Sequence, residues 1–184
     1  MENLIGYIKK TMKPEFIPVL KKEEIETAVT EIGKKISEDY KGRELVLIGV
    51  LKGAFVFLAD LARNLTIPVK IDFVRAASYG AGTSSCGKIR ILKEIEEDIT
   101  GKDVLIVEDI LDTGLTLSRL VDHIKSFGPK SVKICTLIDK RERRKVEIEA
   151  DYAGHVVEEG FLVGYGLDYA ENYRELPEIC HLKF

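Results

Sequence analysis

The sequence has few residues of the kinds that build metal or disulfide sites. Its 184 residues include only three cysteines and three histidines. Cys86, Cys135 and Cys180 are widely spaced and form no Cys-x-x-Cys pair, and no histidine stands at ligand spacing. An odd number of separated cysteines is typical of free thiols in a reducing compartment. We therefore expect a cytoplasmic protein with neither a disulfide framework nor a structural transition metal.

Long apolar runs and a charge excess are also missing. The run Leu45–Leu51 stops at Lys52, far short of the roughly 18 residues that a membrane span needs. The first ten residues, MENLIGYIKK, lack the apolar core of a secretory signal. Twenty-eight basic and 31 acidic residues leave a net charge of −3, which is no electrostatic footprint for nucleic acid. We expect no membrane segment and no nucleic-acid partner.

What the sequence does contain is an alternation of helices and buried strands. With 45% hydrophobic residues and no internal repeat, the chain can bury one core. Apolar residues at helical spacing predict helices near 21–38, 54–63 and 117–124. Continuous apolar runs predict strands at 45–50, 69–74, 104–107, 131–138 and 156–165. Strands buried on both faces and alternating with helices indicate an α/β fold, a mostly parallel central sheet flanked by helices.

The strongest functional signal is the segment Glu108-Asp-Ile-Leu-Asp-Thr-Gly-Leu-Thr116. In a parallel sheet, ligands bind beyond the carboxyl ends of the strands, where this segment lies. Adjacent carboxylates suit the two donors of a ribose diol, and free N–H groups at a helix start suit a phosphate. The pattern predicts a ribose 5-phosphate site. The alternative is that Asp112 or Thr113 only caps the helix and the acidic pair is solvated.

The same segment resembles the 5-phosphoribosyl 1-pyrophosphate (PRPP) signature of type I phosphoribosyltransferases. Further segments resemble the 6-oxopurine branch of that family, the hypoxanthine-guanine phosphoribosyltransferases. They are Leu51–Gly53, Ser78–Gly80 and Phe161–Tyr169, together with Lys140 and Arg174. The resemblance covers about residues 40–180. It implies a single type I phosphoribosyltransferase domain over residues 1–184, with about 1–20 and 155–184 contributing to a small hood, and a homodimer or homotetramer.

The resemblance also implies a reaction, the transfer of the 5-phosphoribosyl group from PRPP to N9 of hypoxanthine or guanine. The products are IMP or GMP and pyrophosphate, as in purine salvage. Asp112 is then the general base near N7 of the purine. Mg²⁺ is the implied cofactor, held directly or through water by Glu108, Asp109 and Asp168. Asp112–Thr116 would cradle the 5-phosphate, although Leu115 replaces a lysine that some relatives carry.

Site roles follow from the matched positions. The implied PRPP and nucleotide site comprises Lys52, Gly53, Ser78, Tyr79, Glu108, Asp109, Asp112, Thr113, Gly114, Leu115, Thr116 and Arg174. The implied purine site comprises Lys140, Phe161, Leu162 and Asp168. In the family the Leu51–Lys52 peptide is often cis, and Ser78–Gly87 acts as a lid. Lys140 would donate to the 6-oxo group, Phe161 would stack on the base, and the backbone of Leu162 would read its edge.

Two alternatives to this function stay open from the sequence. One is a relative that uses xanthine, or another base such as uracil. The other is a regulator of the same fold that binds RNA or DNA and senses PRPP, which the basic cluster Arg141–Lys145 favours. The net negative charge and the intact Asp112 count against the regulator. Without the resemblance, the run Asp139–Lys145 would be interpreted as a solvated charged surface.

Overall fold

The computed structural model describes residues 14–78 and 89–184. Along them run nine strands and three helices. In chain order these are β1 (Glu15–Leu20), α1 (Lys22–Asp39), β2 (Leu45–Val50), α2 (Phe55–Asn64), β3 (Val69–Ser78), β4 (Ile89–Lys93), β5 (Asp103–Leu111), α3 (Leu115–Lys125), β6 (Ser131–Lys140), β7 (Tyr152–Val157), β8 (Leu162–Val163) and β9 (Ile179–Lys183).

Six of the strands form the central sheet, in the order β4-β3-β2-β5-β6-β7. Neighbours from β3 to β7 pair in parallel, and β4 pairs antiparallel with β3 at one edge. The mostly parallel sheet predicted from the sequence is therefore confirmed. Because the strands run the same way, the carboxyl ends of β2, β3, β5 and β6 lie along one edge of the sheet, which is where ligands bind in such folds.

Helices cover both faces of this sheet, and the alternation of side chains along β2 shows how. Leu45 and Leu47 face a core that also contains residues of α1 and α2, whereas Val46 and Ile48 face a second core built with α3. Successive strand side chains point to opposite faces, so a central strand covered on both sides must be apolar throughout. All six residues of β2 are buried. None of the described helices is both long and apolar enough to span a membrane.

A second, three-stranded sheet has the order β1-β9-β8 and joins the two ends of the described chain. The sequence did not predict β1, β4 or β9. The single strand predicted at 156–165 is wrong, because Glu158-Glu159-Gly160 separates β7 in the central sheet from β8 in the small sheet. Gly160 has a φ of +99°, which breaks an extended strand. Cys135 and Cys180 are buried free thiols, as expected, and Cys86 lies outside the described residues.

Candidate active site

A pocket of about 280 Å³ opens where β2, β3 and β5 end. Segments far apart in sequence line it, namely Val50–Gly53 after β2, Ala76 on β3, Glu108 and Ile110–Leu111 on β5, and Asp112–Gly114 with Thr116 and Leu117 at the start of α3. Thus the structure brings the predicted phosphate loop together with Glu108, Lys52 and Gly53. Leu115 is not among the residues that line this pocket.

Glu108 and Asp109 lie in β5 itself, since the strand continues to Leu111 rather than ending at Val107. Burial and the adjacent Asp109 charge raise the pKa of Glu108. Burial also raises the pKa of Asp109, which lies near enough to Arg174 for that cation to oppose the rise. Within the described chain, neither carboxylate makes an ion pair with a lysine, arginine or histidine. The pair is a concentrated acceptor site, and the interpretation of it as solvated surface is wrong for the buried Asp109.

The loop after β5 has a backbone suited to an anion. Gly114 precedes the first helical residue, Leu115, and has a φ of +76°. A β-carbon at Gly114 would lie 2.6 Å from Ile148 Cγ2, so a larger residue cannot be accommodated without moving the chain that packs over the loop. No side chain caps the helix at this position. The alternative that Asp112 or Thr113 serves as its cap is therefore wrong, and the helix N-terminus keeps unsatisfied N–H groups.

Asp112 is half-buried and only partly satisfied. Its Oδ2 lies 3.4 Å from Arg143 Nη1, on an exposed arginine. Its Oδ1 is buried and accepts no hydrogen bond from any residue in the described ranges. A buried acceptor without a donor is costly, since each such group forfeits its bonds to water. A carboxylate left in this state beside a pocket is suited to accept a proton or a hydrogen bond from a ligand.

The charged run after β6 contains a residue that sequence reasoning missed. Arg144 is not a solvated side chain, because it is only 17% exposed and pairs with Asp139 Oδ1 at 2.5 Å. Its Nε donates to the carbonyl of Asp112 at 2.9 Å, and its Nη2 donates to the carbonyls of Leu111 and Lys140 at 3.1 and 3.3 Å. Arg144 therefore ties the end of β5 to the end of β6. The interpretation of the whole run as solvated surface is wrong for Arg144 and for the buried Asp139.

The predicted purine-site residues lie at the end of β6 and at the start of the small sheet. Lys140 is buried, and its Nζ donates to the carbonyl of Gly160 at 2.7 Å. The next residue, Phe161, is 51% exposed, and its ring meets Tyr169 edge-on at a centroid distance of 5.6 Å. Leu162 is buried in β8. Lys140 is thus linked to the residue before Phe161 through one carbonyl, and a half-exposed aromatic side chain lies next to the residue that binds the buried ammonium group.

Gly53 connects the two parts of the site. The Leu51–Lys52 peptide that precedes it is cis, as the resemblance implied. A β-carbon at Gly53 would overlap Asp109 Oδ2, and one at Gly166 would overlap the carbonyl of Gly53. The backbone after β2 is therefore wedged between the acidic pair and the segment Phe161–Tyr169. Only glycines allow these three segments to approach so closely.

Cations and carboxylates surround this contact. Arg174 Nη2 lies 2.8 Å from Asp168 Oδ1, and Nη1 donates to the carbonyl of Gly166 at 2.7 Å. The buried Nε of Arg174 has no acceptor in the part of the chain that the structure describes. Lys52 pairs with Glu171, a residue that sequence reasoning missed. No local pattern marks it, since its partner is 119 positions away.

Two predicted features, the metal ligand set and the lid segment, are not seen at the site among the described residues. Within residues 14–78 and 89–184, no three His, Cys, Asp or Glu side chains form a group that could hold a metal by themselves. The role of Asp168 beside Glu108 and Asp109, directly or through water, stays a prediction. Ser78 ends β3, but Tyr79 and the rest of the predicted lid to Gly87 lie outside the described residues.

Comparisons with known proteins agree with this geometry. Residues 19–170 match the family described as phosphoribosyl transferase domain. The hypoxanthine phosphoribosyltransferase of Salmonella typhimurium is 46% identical over 170 residues, which are 91% of this chain and 96% of that protein. A crystal structure of a hypoxanthine phosphoribosyltransferase from Staphylococcus aureus has a TM-score of 0.88 and 44% identity, over 90% of each chain. A hypoxanthine-guanine phosphoribosyltransferase structure from Bacillus anthracis has a TM-score of 0.87 and 45% identity, and covers 94% of this chain and all of that one.

The fold is that of a type I phosphoribosyltransferase, and a helix-start loop and an acidic strand end lie on one edge of its mostly parallel sheet. Sequence identity of 44–46% over nearly the whole length of this chain and of its relatives also defines the branch of the family. The chain belongs to the hypoxanthine phosphoribosyltransferase family.

Proposed function

We propose that this enzyme transfers the 5-phosphoribosyl group from PRPP to N9 of hypoxanthine or guanine, in purine salvage. The observation that supports this most is that Glu108 and the loop Asp112–Thr116 line one pocket at the carboxyl edge of the sheet. A ligand that carries a vicinal diol and a 5-phosphate satisfies both groups at once. Buried Lys140 is the last residue of β6, exposed Phe161 directly precedes β8, and the two supply a polar and an aromatic contact for the base.

PRPP is held by charge and by backbone groups in this proposal. Glu108 and Asp109 accept from the ribose hydroxyls, and because burial raises the pKa of both carboxyl groups, donors from a ligand would stabilise their charged forms. Backbone N–H groups from Thr113 to Thr116, with the two threonine hydroxyls, donate to the 5-phosphate. Gly53 lets the backbone approach the pyrophosphate, which Lys52 and Arg174 neutralise. The free Nε–H of Arg174 is a donor that a pyrophosphate oxygen can satisfy.

The residues at the acidic strand end fit Mg²⁺. They supply hard carboxylate oxygens, and the described chain holds no three-residue cage, which agrees with a cation bound largely through substrate oxygens and water. Glu108, Asp109 and Asp168 would hold the ion directly or through water. When bound, Mg²⁺ neutralises charge on the leaving pyrophosphate. Manganese and other hard divalent ions share this chemistry, so the choice of Mg²⁺ belongs to the proposal.

The base is selected and activated by the chain itself. The ammonium group of Lys140 donates to the 6-oxo group, Phe161 stacks on the ring, and backbone groups of Leu162 read its edge. The free Oδ1 of Asp112 accepts the proton on N7 of the purine as N9 attacks C1 of the ribose. Charge grows on the leaving pyrophosphate in this step, and Lys52 and Arg174 stabilise it electrostatically.

The small sheet is the part that we propose as a hood over the base. It contains Leu162 in β8 and follows directly from Phe161, so a purine stacked on Phe161 would lie beneath it. Residues of 1–20 contribute β1, and 155–184 contribute β8 and β9. A homodimer or homotetramer is the proposed assembly, which sedimentation velocity tests directly.

A nucleotide-forming assay with PRPP and Mg²⁺ tests the function. Hypoxanthine, guanine, xanthine, uracil and adenine are offered singly, and products are separated by chromatography. We expect IMP from hypoxanthine and GMP from guanine. If only xanthine or only uracil is turned over, that base is the substrate and the assignment to hypoxanthine and guanine is wrong. If no base is used while PRPP binding alters the affinity for RNA or DNA, the regulator is correct and the enzyme assignment is wrong.

A further inference from the structure

Glu171 lies in a turn whose backbone is fixed by hydrogen bonds. Its N–H donates to Asp168 Oδ2 at 2.8 Å. Tyr169 and Asn172 exchange both of their backbone hydrogen bonds across the turn, at 3.1 and 3.0 Å. The N–H of Gly166 donates to the carbonyl of Arg174 at 3.0 Å, which anchors the turn to the neighbouring chain. Glu171 is therefore held by the fold, although its side chain is exposed.

The dihedral angles of the turn lead to the same conclusion. Ala170, Glu171 and Tyr173 have φ values of +50°, +67° and +78°. Non-glycine residues adopt this left-handed region only where the surroundings determine it. Three such residues within four positions give a backbone that directs the Glu171 side chain toward one place. That place is the gap between two cations from different parts of the chain.

A single oxygen of Glu171 bridges these cations. Its Oε2 lies 3.0 Å from Lys52 Nζ and 3.2 Å from Arg174 Nη2. Hydrogen bonds from Lys52, and then from Arg174, hold the pKa of Glu171 below its ordinary value. Lys52 follows β2 and Arg174 ends the turn, and both are the cations that the proposed function assigns to pyrophosphate. An oxygen that bridges two cations is the arrangement that a phosphate oxygen would itself adopt there.

We propose that Glu171 is an internal substitute for pyrophosphate, which keeps Lys52 and Arg174 paired in the ligand-free enzyme and must release both when pyrophosphate or PRPP binds. The inference rests on the proposed function. Because the carboxylate of Glu171 competes for the same donors, pyrophosphate binds less tightly than it would if that carboxylate were absent. The residue thereby limits product inhibition, and it also lowers the affinity for PRPP, which carries the same group.

The variant Glu171→Gln tests this with little change of shape. The amide oxygen still accepts from Lys52 and Arg174, but the negative charge that competes with pyrophosphate is lost. Titration calorimetry of pyrophosphate in the presence of Mg²⁺ should give a Kd about threefold to tenfold lower than that of the wild type. The KM for PRPP should fall in the same direction. IMP contains no pyrophosphate, so its affinity should be unchanged, a split that a merely structural role would not produce.

Glu175→Gln is the matched control. Glu175 is also exposed, carries the same charge and makes no ion pair within the described chain, so its loss reports the general effect of charge alone. An equal gain in both variants, or unchanged or weaker pyrophosphate binding in Glu171→Gln, would overturn the proposal. If wild-type enzyme binds IMP but no pyrophosphate, the assignment of Lys52 and Arg174 fails, and this inference fails with it. If neither ligand binds, the proposed function is wrong.

Discussion

Asp112 has a buried oxygen without a partner at the edge of the pocket, where a purine would lie. In a protein interior such an oxygen destabilises the fold by about 1–3 kcal/mol. Neither the start of α3 nor Arg143 donates a hydrogen bond to this oxygen. A ligand that donates to it would therefore offset the cost. This is a pattern of catalytic side chains, whose environment is complete only with the substrate present.

Asp112→Asn keeps the shape of the side chain and removes its ability to take a proton. We expect kcat to fall by about 10²-fold or more, the scale of general acid–base catalysis, with little change in the Kd of PRPP. Steady-state kinetics and PRPP calorimetry on the same preparation measure both. An Asn variant that retains kcat and only shows a raised KM for PRPP would make Asp112 a binding residue.

Lys140 is the single residue that we expect to make the enzyme reject adenine. An ammonium group has donors only, so it can meet a 6-oxo acceptor, whereas the 6-amino group of adenine would set donor against donor beside a buried cation. Such sites discriminate by about 10⁴-fold. Lys140→Ala should lower kcat/KM for hypoxanthine and guanine while adenine stays poor. Wild-type turnover of adenine within about tenfold of hypoxanthine, a gap of only ~1.4 kcal/mol, would exclude this role.

At the scale of elements, Arg144 fastens β5 and β6 at the point where both reach the site. Arg144→Ala leaves the buried Asp139 carboxylate without its main partner, which we expect to destabilise the fold by about 3–5 kcal/mol. Because the same guanidinium holds the carbonyls of Asp112 and Lys140, kcat/KM should also fall by tenfold or more. Lysine should not rescue the variant, since one ammonium cannot reproduce the planar fork.

Arg141→Ala is the control for that experiment. Arg141 also pairs with Asp139, at 2.9 Å, but its side chain is 70% exposed. Exposed pairs contribute about 0–1 kcal/mol. Urea denaturation and kinetics should therefore separate the two arginines. Equal effects would mean that Arg144 acts only as one more charge near Asp139.

The acidic end of β5 makes stability depend on pH. Burial raises the pKa values of Glu108 and Asp109 above their ordinary 4.5 and 3.8, and the Asp109 charge adds to the rise at Glu108. A raised pKa in the folded state gives stability that is present below the ordinary value and lost as the pH rises through the raised one. Glu108→Gln with Asp109→Asn should therefore stabilise the ligand-free protein, and by more at pH 7 than at pH 4.

The same double variant should lose PRPP and IMP affinity, since charged acceptors for the ribose contribute about 1.5–3 kcal/mol each. Thermal melts at several pH values, with calorimetry at pH 7, test both halves. A variant that is no more stable than wild type at pH 7 would show that the pair is already compensated inside the protein. Unchanged binding of both ligands would remove the ribose assignment.

How much the sequence predicts depends on how local the cause is. The strand Leu45–Val50 and the helix near 21–38 were predicted almost to the residue, because full burial and a helical stripe are written into neighbouring positions. The strands β1 and β9 were missed, since a short strand whose partner is at the other end of the chain carries no local pattern. Glu108 and Asp112–Thr116 form one continuous motif, whereas Arg144 and Glu171 act through partners that only the folded chain supplies.

For the whole molecule, ligand binding should appear as added stability. At a PRPP concentration about 100 times its Kd, binding stabilises the native state by about 2.7 kcal/mol. In a chain of this size that raises Tm by about 5–11 °C. The same PRPP with EDTA should give a much smaller shift, because the acidic pair and the pyrophosphate then repel each other. Equal shifts with and without the divalent ion would mean that PRPP binds without metal.

The small sheet also sets an order of events during synthesis. Among the described strands β1 pairs only with β9, and about 160 residues separate them. At about 5–20 residues per second, β1 is synthesised roughly 8–30 s before β9. The central strands β2, β3, β5 and β6 and the loop Asp112–Thr116 are all synthesised within that interval. A nascent chain can therefore assemble its phosphate cradle first, and it acquires the sheet beside Phe161 only when its last strand arrives.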